Sequence, residues 1–179
     1  MRKLPLLGVL ALLAPLTPFA FVPKAPPGPG AIEDMLRGLF KAVDSGDRAG
    51  AKACLAQDTP FPVLVWGLDL EAKPVEAKGA DGAAKYLDGL LDSIAKTKAT
   101  VASKITSIHA DCHSPELGYA TLEYTQTTTV DGKAETSRCR ATALCTSDKS
   151  HKWRVFHWHA SPVPAAVAPA DASKGKDSK

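Results

Sequence analysis

Two imidazoles two residues apart near the C-terminus are the first place to look for chemistry. In Trp153-Arg154-Val155-Phe156-His157-Trp158-His159-Ala160-Ser161, strand alternation sets His157 and His159 on one face, close enough to share a metal ion. His109 and His113 offer a third ligand if the sheet folds back on itself. The plainer use of the pair is packing, with both rings hydrogen-bonded to backbone. That use is favoured, because no carboxylate or cysteine follows at ligand spacing. A second candidate is Arg140, with Arg138 on the same strand face. A guanidinium in a half-closed apolar cavity can hold a carboxylate or enolate. Equally, Arg140 can pair with an acid on the next strand. With Asp131-Gly132 as the turn, it falls almost opposite Glu123. A third is an acid/base pair drawn from Glu123, Tyr124, Tyr119 and His157. A carboxylate buried in a cavity gains basicity and can take a proton near neutral pH. Glu123 and Tyr124 are strand neighbours, however, and face opposite ways, so no dyad is defined. Trp66, Trp153 and Trp158 could wall a ligand cavity, although core packing is their commoner use. The threonines Thr125, Thr127, Thr128 and Thr129 read as strand surface.

The elements that must hold these residues follow from periodicity. Ile32, Met35, Leu36, Leu39, Phe40 and Val43 recur at i, i+3, i+4, i+7, i+8 and i+11, one face of a helix. Gly46 suits a left-handed cap at its end, and Asp47 suits an N-cap for a short helix over Arg48 to Ala56. Phe61 to Gly67 reads as a strand and Pro74 to Lys78 as a second, short one. Gly79 to Ala95 returns to helical spacing, with Asp81 as its cap. Thr100 to His109, Gly118 to Val130, Ala134 to Thr146 and Lys152 to Ser161 are rich in Thr, Val, Ile and aromatic residues and read as strands. Asp131-Gly132 marks a tight hairpin. Trp153, Val155, His157, His159 and Ser161 are expected on one face of the last strand, and Arg154, Phe156, Trp158 and Ala160 on the other. Both sets are largely non-polar, so this strand is expected to be central and covered on both sides. Helices first and hairpin strands last make an α+β domain, with helices packed on a strongly curved antiparallel sheet.

The ends differ from the middle of this 179-residue chain. Met1-Arg2-Lys3 and the apolar run Leu4 to Phe21 read as a signal peptide over residues 1–20, with an N-terminal membrane anchor as the alternative. Residues 21–30 read as a Pro/Gly-rich linker, 31–162 as the folded domain, and 163–179 as a disordered tail. The expected setting is therefore periplasmic or secreted, with no membrane contact after signal removal. Arg2, Lys3 and Lys24 carry three charges outside the domain and the tail adds a net of one. The chain's formal +3 thus becomes −1 over residues 31–162, which argues against nucleic acid as a partner. Phosphate loops, nucleophile elbows and His-Glu-x-x-His motifs do not occur. No metal and no cofactor is implied. Cys54, Cys112, Cys139 and Cys145 match no zinc spacing. In an exported chain they permit disulfides, with Cys112–Cys145 the preferred pairing and four buried free thiols the other reading.

Several of these residues also resemble a known family. The closing strand, with Trp153, Val155 and the His157-x-His159-x-Ser161 ending, resembles that of SnoaL-like domains in the nuclear transport factor 2-like superfamily. The association domain of calcium/calmodulin-dependent protein kinase II closes similarly. Arg140-Ala141-Thr142 resembles the preceding strand. Ala42, Gly46-Asp47, Leu55 and Gly79 stand in family-like places, and the likeness runs in order from Ile32 to Ser161. It implies a cone-shaped α+β domain enclosing a cavity, a homodimer through the outer sheet face, and Arg140 pointing inward. A second pocket arginine of the kinase domain falls on Ala160 here, which removes a two-arginine clamp. The leading function is binding of a small organic ligand in the cavity, with Arg140, Trp153, His157, His159, Glu123 and Trp66 around it. The competing functions are a small-molecule isomerase or dehydratase that uses cavity His, Glu and Arg, and a pure dimerisation module.

Overall fold

The computed structural model describes residues 27–57, the backbone of 64–66, and residues 76–163. The expected leader, the greater part of the expected linker, and the tail beyond Val163 lie outside these residues. Helix α1 spans Pro29–Asp44 and α2 spans Arg48–Ala53. Two short strands, β1 (Leu64–Trp66) and β2 (Glu76–Lys78), precede α3 (Gly79–Lys96). Four longer strands follow: β3 (Thr100–Cys112), β4 (Leu117–Val130), β5 (Lys133–Ser147) and β6 (Trp153–Pro162). This is an α+β fold with one mixed sheet in the order β2-β1-β6-β5-β4-β3. Among the described strand pairs, β1–β6 alone is parallel.

Local chemistry accounts for most of the boundaries. α1 begins at Pro29, within the expected linker, because proline needs no hydrogen-bonded N–H in the first turn. Gly46, at φ 71°, ends the helix, and the Asp47 carboxylate accepts the Gly50 N–H at 2.9 Å to cap α2. Asp81 does not cap α3, as the spacing had implied. The helix starts two residues earlier, and Asp81 lies in its first turn, where a negative charge meets the positive end of the dipole. Asp131 and Gly132 both have positive φ, and Val130 pairs with Lys133 across the two-residue turn that they form.

α1 lies across one face of the sheet. Ile32 and Leu36 are fully buried there, among Tyr124, Leu122, Cys145 and Val155. Gly118 makes room for Ile32. A Cβ at that position would lie 2.5 Å from the Ile32 Cδ1 and 3.4 Å from the Trp153 ring. The Trp153 indole donates to the Pro27 carbonyl at 3.1 Å and ties the entry of α1 to β6. On the other side of the helical layer, Lys52 and Arg48 of α2 meet Asp88 of α3, and Arg48 also pairs with Asp92. These pairs are solvent-exposed and add little stability.

Two bulges set which side chains face the helices. In β3, Ile105 pairs with Tyr124 and Ser107 with Glu123, which leaves Thr106 extra. Its hydroxyl donates to the Glu123 carbonyl at 3.0 Å. In β6, Val155 pairs with Cys145 and His157 with Leu144, which leaves Phe156 extra. Each bulge bends its strand and reverses the in/out order beyond it.

Candidate functional site

The β6 bulge changes the expected site. Before it, Trp153 and Val155 are buried against the helices. After it, Trp158 and Ala160 take that side, and Phe156 itself is buried. His157 and His159 are turned to the outer face, His157 half-buried and His159 exposed. The five residues expected on one face are therefore split, and β6 is central but covered fully on its inner side only. Of the six residues expected around the cavity, Trp153 is the one with a described side chain that lies inside. Trp66 contributes backbone to β1 opposite His159, and its side chain is outside the described residues.

Arg140 is corrected in the same way. Neighbouring Cys139 and Ala141 are buried, so Arg140 points outward, and its side chain is 65% exposed. Its partner is the one that strand register gives. Glu123 lies directly opposite, and its carboxylate takes Arg140 at 2.9 Å and Arg138 at 2.6 Å. Hydrogen bonds from Arg138 and then Arg140 hold the Glu123 pKa below the usual carboxylate value. An ionised, outward carboxylate between two guanidinium groups is a poor base, so Arg140 as a cavity anion holder and Glu123 as a cavity base are both absent from the interior. His157 is shifted downward by burial and by the neighbouring His159. It stays neutral near pH 7, on the outer side of the sheet.

A shared metal is not favoured by the sheet either. His109, Thr121, Thr142 and His159 lie in one row across β3, β4, β5 and β6. Three strand spacings of about 4.8 Å separate the end members, too far for one ion. No group of three potential ligands occurs among the described residues.

All four cysteines are free. Cys112 and Cys145 share the inner face and flank Gly118, but β4 runs between them. Two strand spacings come to about 9–10 Å, beyond the reach of a disulfide. The preferred pairing is thus not made, and the other reading holds in part: all four thiols are free, but Cys139 and Cys145 are buried whereas Cys54 and Cys112 are half-buried. Burial raises the Cys54 and Cys112 thiols, and burial with Cys112 nearby pushes Cys145 up to about 12. These three are protonated and poor nucleophiles at neutral pH.

The interior instead presents Tyr124, whose role depended on which way the strand faced. It is fully buried, and its ring meets Phe40 edge-on at 4.8 Å. Phe40 also packs against Trp158 at 6.0 Å. The Tyr124 hydroxyl is buried without a hydrogen-bond partner. Burial, followed by the nearby Cys139 thiol, raises its pKa far above 10, so it is a donor at every physiological pH. Cys139 is close enough to affect that titration, but its geometry does not make the hydrogen bond. A buried hydroxyl left unpaired costs about 1–3 kcal/mol. Among the described residues the only polar or charged residue in the buried class is Thr146. The inner surface is therefore apolar with one unused donor. Sequence alternation could separate Tyr124 from Glu123, but not decide which of them faces inward.

Comparison with known proteins places the fold. The SnoaL-like domain model matches residues 72–166. No curated protein matches the chain. Among solved structures, a nuclear transport factor 2-like family protein from Streptomyces avermitilis, assigned as a dehydratase, superposes with a TM-score of 0.63. It is 14% identical over 76% of this chain and 96% of that one. A ketosteroid isomerase-like protein from Erwinia carotovora atroseptica gives a TM-score of 0.57 at 16% identity, covering 76% and 96%. A protein from Xanthomonas campestris, assigned as a calcium/calmodulin-dependent protein kinase II association domain, gives 0.57 at 16% identity, covering 74% and 86%. At these identities the likeness is one of fold.

Proposed function

The chain belongs to the SnoaL-like domain family, and from that premise we propose that it is an exported, homodimeric protein that holds a small, neutral organic molecule between its helices and the inner sheet face. The observation that carries this reading is the Tyr124 hydroxyl, buried and unpartnered in apolar surroundings. It suits a ligand with an apolar body and one acceptor, such as a carbonyl oxygen. A negative charge at that point would be poorly compensated, because no cation is buried among the described residues. Isomerase or dehydratase chemistry has less support, since it needs an internal base. Glu123 and His157 face outward, and no carboxylate or imidazole is buried among the described residues.

Native mass spectrometry of the chain purified from its own cells tests the proposal. Extra mass of a few hundred daltons on wild type, lost in Tyr124→Phe, is the expected result. Tyr124→Phe removes an unsatisfied hydroxyl, so the ligand-free variant should equal wild type in stability or exceed it by about 1 kcal/mol. A wild-type protein that carries no ligand, and whose Tyr124→Phe variant loses stability by more than that, would show the hydroxyl to be structural.

A further inference from the structure

A groove of about 470 Å³ runs between the C-terminal half of α1 and the first half of β3. That volume suits a small organic molecule. Phe40 and Ile105 supply its apolar surface, and Arg37 and Lys41 stand one helical turn apart along its α1 side. Both are exposed, and neither takes part in an ion pair among the described residues. Asp44, the acid in the groove, is already committed. Its two oxygens accept the Ser103 N–H and the Ser103 hydroxyl, each at 2.8 Å. Lys41 is in the last turn of α1, where the helix dipole favours a cation. Arg37, one turn earlier, gains nothing from that end.

We propose that this groove is a second binding site, for an amphipathic monocarboxylate. The carboxylate sits between the Arg37 guanidinium and the Lys41 ammonium, and the apolar body lies along Phe40 and Ile105. Charge decides the class. Among the residues that line the groove, two cations against one carboxylate leave a single positive excess, which one monoanion neutralises and a neutral molecule does not. The site is distinct from the interior one. Phe40 is the wall between them, lining the groove while its ring packs against Tyr124.

Calorimetric titration of the full chain with decanoate, and with decanol as the uncharged control, tests this below the micellar range. Decanoate should bind once per chain, at least about tenfold more tightly than decanol, and more weakly as salt rises. The Arg37→Gln/Lys41→Gln double variant alters only exposed side chains. It should keep its melting temperature and lose about tenfold or more in decanoate affinity, while Tyr124→Phe leaves that affinity unchanged. Absence of decanoate binding, equal binding of decanol, or an unaffected double variant overturns the proposal. If Tyr124→Phe weakens decanoate as much as the double variant does, the acid occupies the interior and the groove assignment fails. The interior reading is judged separately, by the mass carried from the cell.

Discussion

His157 and Glu123 show how facing outward changes what a titratable residue does. His157 is half-buried opposite Leu144 on β5, and burial lowers its pKa from the ordinary 6.5, with His159 adding to the shift. A base whose folded pKa is depressed binds its proton more readily when unfolded. The folded state is therefore unpenalised above pH 6.5 and loses stability as pH falls from there through the folded pKa. Glu123 acts in a lower window. Its depressed pKa contributes stability above its ordinary 4.5, which is lost as pH falls through the folded value. Urea denaturation of wild type should thus show a midpoint that drops from about pH 7 to 5.5, before carboxylates titrate. His157→Gln should flatten that drop. Parallel curves for the two proteins would mean that burial of the ring does not govern its proton.

At the scale of elements, Gly118 is a position where β4 leaves no room for a side chain beneath α1. Ile32 occupies the space that a Cβ would need, and the Asp111 carbonyl would lie 3.0 Å from that Cβ. Gly118→Ala must displace Ile32, and overpacking of this kind costs about 1–3 kcal/mol. A thermal melt should show the loss, and pairing the variant with Ile32→Val should recover part of it. A Gly118→Ala protein as stable as wild type would mean that α1 shifts freely over β4.

The same scale explains what was legible in the sequence. Helix α1, its Gly46 end, the Asp47 cap and the Asp131-Gly132 turn were legible because each depends on a few neighbouring residues and on backbone conformations that few residue types adopt. The Glu123–Arg140 pair was legible because it follows from the turn by counting. The bulge at Phe156 was not. It contains no glycine or proline, and Val155, Phe156, His157 and Trp158 all suit an unbroken strand. At that point β6 is bonded by the segment after α2, where the Val155 N–H donates to the Cys54 carbonyl and the Ala56 N–H to the Val155 carbonyl, and such contacts are not local in sequence. One extra residue was enough to exchange the inner and outer members of the second half of β6. For Arg140, the inward direction came from resemblance alone, and the alternation of its buried neighbours Cys139 and Ala141 reverses it.

At the scale of the whole molecule, the outer sheet face is what the proposed homodimer has to use. Tyr119, Leu144 and His157 lie in one row across β4, β5 and β6. Tyr119 is 37% exposed, the one large hydrophobic side chain in the exposed class among the described residues. Leu144 and His157 are half-buried within the single chain. Around them stand Thr121 and Thr142, and the Arg138–Glu123–Arg140 cluster lies to one side. An apolar centre with a polar, ion-paired rim is the usual layout of a protein interface. A twofold contact places each copy's row against the other, so one substitution acts twice. Leu144→Glu puts two carboxylates at such a centre and removes two apolar contacts. Light scattering during size exclusion should find wild type dimeric at micromolar concentration. The variant should dissociate at least about 100-fold more readily, since an unpaired carboxylate buried in a contact costs roughly 3 kcal/mol or more. A variant that stays dimeric would move the interface to another surface, whereas a wild type that is monomeric at about 100-fold higher concentration would remove the homodimer altogether. In the second case the half-buried His157 would be a property of the isolated sheet, and its pH window would be independent of protein concentration.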